Sequence, residues 1–148
     1  MTEALSEGVP LRFGHLGDTH FIHRAEMRTI TPQPGSGVDA ILEIAVTEEN
    51  VNGAGGLQGG MVATLIDCAG GSAMRRHVDA VGGFATQDLA IHYVAAMRHG
   101  PARAIARMRK VGARTAVVQV DVVDMGDGER LCALGTLTFA VFGERRTP

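Results

Sequence analysis

Basic residues are not in excess in this sequence: 14 lysines and arginines face 16 acids, for a formal net charge of −2. That balance excludes a surface drawing the whole chain onto nucleic acid or an anionic membrane, so an anionic ligand has to be met locally. No segment approaches the roughly 18 consecutive apolar residues of a membrane helix, and the first 17 residues lack a basic start followed by an apolar stretch. The expected compartment is the cytoplasm. Cysteine is scarce, and Cys68 and Cys132 lack metal-ligand spacing, so two buried reduced thiols are expected rather than a bridge. His15, His20 and His23 come without a cysteine or acid cluster, so they are read as surface histidines and no metal is assigned. Internal repeats and low-complexity tracts are missing too.

What is present suits one ordinary domain, with 45% hydrophobic residues. Residues 1–24 are weakly patterned, a loop or short helix, and residues 25–148 carry the domain. From Ala25, AEMRTITP and VDAILEIAVT read as two strands joined at QPGSG. A glycine-rich loop follows, then MVATLIDCAGGSAMRRHV, whose length and sparse charge suit a helix buried on most sides. Four consecutive antiparallel strands complete the chain: FATQDLAIHYVAAM, ARAIARMRKVG, TAVVQVDVVDM and RLCALGTLTFAVF, split at HGP, GAR and GDGE. The class is α+β, an antiparallel sheet wrapped round one long helix, which is the hotdog arrangement. Gly70 and Gly71 would each weaken that helix by about 1 kcal/mol against alanine, so close backbone approach is expected there, to the sheet or to a second subunit's helix.

The stretch NGAGGLQGGMVATLID, Asn52 to Asp67, concentrates the chemistry. Glycines opening a helix free N–H groups at the positive end of its dipole, where they can hold an oxyanion, and Gly59 and Gly60 are the candidates. Asp67 is the one acid between Met61 and Met74. An ionised carboxylate in a buried helix costs several kcal/mol unless paired or opened to a polar cleft, so it is either bound to an arginine or serves as catalytic base or nucleophile. At about 1.5 Å per residue, Asp67 lies roughly 10 to 12 Å along the axis from Gly59, too far for both to reach one carbonyl. If they serve one reacting carbon, they come from different subunits of a two-fold dimer with antiparallel helices and two shared sites.

Asn52, Gln58, Gly59, Gly60 and Asp67, spaced N-x5-Q-G-G-x6-D, together with TQDLAIHY and KVGARTAVVQVDV, resemble the signature of the PaaI-like hotdog acyl-CoA thioesterases. The resemblance spans Ala25 to Phe142. It implies a dimer, often a dimer of dimers, that hydrolyses small, medium-chain or aryl-acyl-CoA with no cofactor beyond the coenzyme A of its substrate. It further implies that the Gly59 N–H polarises the thioester carbonyl, with Asn52 and Gln58 lining that side. Asp67 of the facing subunit activates water or attacks directly, and Thr86 beside it orients the water. Many members carry histidine where Gln58 stands, and glutamine cannot transfer a proton.

Thr86 and Asp88 are expected on one face of their strand, with Leu89, Ile91 and Tyr93 on the other. Lys110 and Arg114 are candidates for gripping the phosphates of CoA. With few aromatics, the acyl pocket is expected to be aliphatic and methionine-lined. The alternative function is a non-catalytic acyl-CoA-binding hotdog protein; a hydratase would need an Asp-His or His-Glu pair that Gln58 and the span from Asp67 to His77 do not offer.

Overall fold

The computed structural model describes residues 7–78 and 83–142; parts of both expected segments, residues 1–6, 79–82 and 143–148, lie outside them. Among the described residues seven strands form one antiparallel sheet. In chain order the elements are β1 (Val9–Pro10), α1 (Phe21–Arg24), β2 (Arg28–Ile30), β3 (Ala40–Ile44), α2 (Gly59–Met74), β4 (Phe84–Tyr93), β5 (Ala102–Val111), β6 (Thr115–Asp124) and β7 (Arg130–Val141). Their order across the sheet is β1-β2-β3-β5-β6-β7-β4. The last four strands are therefore not laid side by side in sequence order: β4 takes the far edge and pairs with β7. Because β6 and β7 stand between β4 and β5, the segment from Val94 to Pro101 crosses their width, which a two-residue hairpin turn cannot do.

Residue size explains where α2 sits. The buried face of β5 carries Ala102, Ala104 and Ala106, while β6 presents Val118, Val120 and Val122. Small side chains under the helix let its Leu65, Ile66 and Met74 reach full burial against the sheet. Gly135 in β7 leaves the hollow that Ile66 fills, since a Cβ there would stand 2.6 Å from Ile66 Cγ2. Gly70 likewise faces the sheet, its missing Cβ 3.1 Å from Leu137. A Cβ at Gly71 would meet nothing within 4 Å among the described residues outside its own helix turn. The two helix glycines thus differ: Gly70 admits the sheet, and Gly71 lies on an open stripe with Gly60, Asp67 and Arg75.

Asp39 pins the far end of the helix. One carboxylate oxygen meets His77 Nε2 at 2.8 Å, the other accepts the Met108 N–H at 2.7 Å, and the Asp39 carbonyl accepts from Arg76 at 2.8 Å. Residues 7–24 also pack on this frame, through β1 on β2 and Leu11 in the core. His23 is buried rather than a surface residue: its Nε2 accepts the Phe13 N–H at 2.9 Å while Nδ1 lies 3.0 Å from the Gly17 carbonyl. The ring satisfies two backbone groups of a loop that has no ladder of its own. No helix among the described residues is long and apolar enough to cross a membrane.

Candidate active site

Gln58 ends the loop as N-cap of α2 without a side-chain capping bond; its carbonyl accepts the N–H groups of Met61 and Val62 at 2.8 and 3.1 Å. Gly59 and Gly60 come next, and as first-turn residues their N–H groups have no carbonyl one turn earlier. Asn52 shapes the loop behind them, its Oδ1 accepting the Ala54 and Gly56 N–H groups at 2.9 and 3.3 Å. That is the turn-making use of asparagine, so its side chain acts on the backbone of the loop. Arg98 tightens the same loop through Nη1, 2.7 Å from the Ala54 carbonyl.

Gly59 lies in a cleft of about 540 Å³ with Leu57, Val62, Tyr93, Met97 and Asn52. The tyrosine hydroxyl donates to the Gly59 carbonyl at 2.8 Å. Asp67 lies elsewhere, in a second cleft of about 200 Å³ with Thr86, Phe13, Phe84, Phe139 and Arg75. The two clefts share no lining residue, in keeping with the axial distance between Gly59 and Asp67.

Asp67 is exposed on the surface of the single chain, a correction to the burial expected from an uncharged helix. The helix is buried on its sheet side and open along the stripe that carries the acid. Among the described residues no lysine or arginine pairs with Asp67; Oδ1 accepts the Thr86 hydroxyl at 2.7 Å.

Thr86 reaches Asp67 by a device the alternation rule missed. It pairs with Phe139, while Asp88 pairs with Thr138, so Gln87 is an extra residue, a β-bulge. The bulge turns Thr86 to the face of Leu89 and Ile91, toward the helix, and sends Asp88 to the other face. The expected grouping of Thr86 with Asp88 is thereby corrected: strict period two fails where one strand has a residue more than its partner.

Cys68, beside Asp67, is half-buried rather than enclosed; burial first, then the Asp67 carboxylate, pushes its thiol up to about 11, with Arg75 acting the other way. It is no thiolate nucleophile. Lys110 and Arg114 flank the β5–β6 turn and line neither cleft. Asp124 was not singled out by sequence reasoning. It is buried at the end of β6, where one carboxylate oxygen accepts the Arg98 and His99 N–H groups and the other that of Gly100. Burial works to raise this carboxyl, but those three bonds outweigh it and hold it below the usual range. The signal was available, because Asp124 continues the inward series Ala116, Val118, Val120, Val122.

The family model of the thioesterase superfamily matches residues 54–131, just over half of the chain. The chain belongs to the thioesterase superfamily, whose class of reaction is thioester hydrolysis. Its fold is similar to that of thioesterase superfamily member 2 from zebra fish, at 26% identity and a TM-score of 0.70 over 84% of this chain and 88% of that one. The PaaI protein from the phenylacetic acid degradation operon of E. coli superposes with a TM-score of 0.68 at 20% identity, covering 84% and 85%. A thioesterase from Haemophilus influenzae does so with a TM-score of 0.69 at 18% identity, covering 84% of each chain. At those identities the last two speak for the hotdog fold alone. No curated protein matches the chain by sequence.

Proposed function

We propose that this thioesterase hydrolyses acyl-CoA at two equivalent sites shared between facing copies of the chain. One copy supplies the Gly59 N–H, in the loop shaped by Asn52 and Gln58; the other supplies Asp67 and Thr86. The observation that carries the reading is the 2.7 Å bond from Thr86 to Asp67 Oδ1, in a cleft separate from that of Gly59. The threonine hydroxyl occupies one carboxylate oxygen and leaves Oδ2 for the reacting water. That oxygen takes the proton as water attacks the thioester carbon, the Gly59 N–H stabilises the oxyanion, and the C–S bond breaks to release CoA. Alternatively Asp67 attacks the carbon itself and water cleaves the resulting anhydride.

Two features support pairing of copies. β4 is an edge strand of ten residues, and an unprotected edge is a template for pairing with another chain. The open stripe of α2 around Gly71 offers a second close surface beside it. A dimer, or a dimer of dimers, is the assembly we assign, and a reducing cytoplasm is the compartment that suits the two free thiols. Lys110 and Arg114 remain our candidates for the CoA phosphates.

The test is Asp67→Asn, assayed by thiol release on acyl-CoA esters and by calorimetric binding. The expected result is loss of hydrolysis by about 10²- to 10⁴-fold with ester binding retained. Hydrolysis at the wild-type rate would overturn the reading, and binding without hydrolysis in the wild type would replace it with the carrier function.

A further inference from the structure

Three of the chain's five phenylalanines converge on the cleft beside Asp67. Phe84 and Phe139 meet edge to face, ring centroids 5.7 Å apart, and form a wall supplied by the sheet. The third, Phe13, comes from the N-terminal segment, far ahead in sequence of Asp67, the next residue of the cleft. The larger cleft has the aliphatic and methionine lining expected from the low aromatic content, with Leu57, Val62 and Met97, while the aromatic side chains gather at the smaller one.

Phe13 is held in place by several contacts. The Arg75 guanidinium stands 5.0 Å from its ring centroid, the His23 ring stacks at 6.3 Å, and its N–H is bonded to His23 Nε2. Buried His23 is in turn fixed to Gly17, so the loop that presents Phe13 is tied to its own helix. A cation over a ring and a buried histidine behind it define a position rather than a passing contact.

We infer that Phe13 is a specificity-determining residue: it closes the acyl-binding pocket and restricts the enzyme to compact acyl groups, short aliphatic or single-ring. The inference rests on the function proposed above, in which Asp67 works at the thioester carbon. A group attached to that carbon then extends among Phe13, Phe84 and Phe139. At about 30 Å³ for each water-sized group, the 200 Å³ of this half-open cleft gives room for about six or seven of them beside the rings. The three rings supply the apolar part of a lining that also includes Ser72, Thr86 and Arg75, so contact with the rings and the room they leave set the selection. The larger Gly59 cleft of the facing copy is left for the pantetheine arm.

The experiment compares wild type, Phe13→Ala and Phe13→Leu across a series of acyl-CoA esters from acetyl to dodecanoyl, with Asp67→Asn as reference. The expected result is that the kcat/KM ratio of decanoyl to butanoyl rises about tenfold or more in Phe13→Ala and less in Phe13→Leu, since one methylene in an apolar pocket is worth about tenfold or more. A fall by one common factor across the series would overturn the inference and leave Phe13 only a prop for the N-terminal segment. Because Phe13→Ala can loosen that segment, Phe13→Leu is scored by the same ratio. Failure of the catalytic reading looks different: wild type then hydrolyses no ester, or Asp67→Asn hydrolyses them all. In that case calorimetric binding of the same esters decides, and a chain-length preference that is the same in wild type and Phe13→Ala is the negative result.

Discussion

The Thr86 hydroxyl meets Asp67 at 2.7 Å because Gln87 is an extra residue in β4, opposite no residue of β7. Without the bulge Thr86 would point to the outer face with Asp88. Thr86→Val keeps the shape and removes the donor, and should lower kcat by roughly tenfold to a hundredfold, the worth of a hydrogen bond to a charged group. Thr86→Ser should restore most of it. Steady-state kinetics beside a thermal unfolding curve separates this from instability, because an exposed site shifts stability by less than about 0.5 kcal/mol.

Tyr93, the single tyrosine, donates to the Gly59 carbonyl from the rim of the larger cleft. Losing that bond frees the first turn of α2, whose N–H groups are the proposed oxyanion donors. Tyr93→Phe should reduce kcat by about threefold to tenfold, the net value of one neutral hydrogen bond, with less change in KM. Equal kcat in the two proteins would show that the turn needs no such support.

Asp124 should make stability fall in acid. Its folded pKa is depressed, so its contribution is fully present above the ordinary aspartate value of about 3.9 and is lost as pH drops through the lower folded value. Asp124→Ala should cost about 3 kcal/mol or more at pH 7, since three N–H groups lose their acceptor. Urea unfolding at pH 7, 4 and 3 should show the gap between wild type and variant narrowing toward low pH.

Gly71 and Gly135 should respond oppositely to alanine. Gly71→Ala meets nothing and gains helix propensity, so it should stabilise the chain by about 0.5 to 1 kcal/mol. Gly135→Ala forces its methyl onto Ile66 and should cost about 1 to 3 kcal/mol. Sedimentation supplies a second measurement: if the open stripe of α2 seats a second copy, Gly71→Ala weakens self-association while Gly135→Ala does not act there.

Cys68 should resist alkylation near neutrality. With its thiol raised to about 11, roughly one molecule in a thousand is thiolate at pH 8, and the iodoacetamide rate should climb with pH through that value. A plateau by pH 9 would contradict the burial that raises it.

Local pattern determined much of this protein. The central helix shows in its length and glycine-rich start, β6 and β7 in their alternation, and the distance between Gly59 and Asp67 in the rise of a helix, which keeps the two residues of any single chain apart. Helix and strand periods are properties of the backbone, so a sequence displays them wherever a face is buried. Tertiary structure decided what depends on contacts between distant segments. β4 takes the far edge; Gln87 bulges because β7 is one residue shorter there and so turns Thr86 to the helix; Asp67 is exposed because one side of α2 has no sheet against it. Phe13 joins Phe84 and Phe139 only through the packing of an N-terminal segment whose own sequence has no period to read.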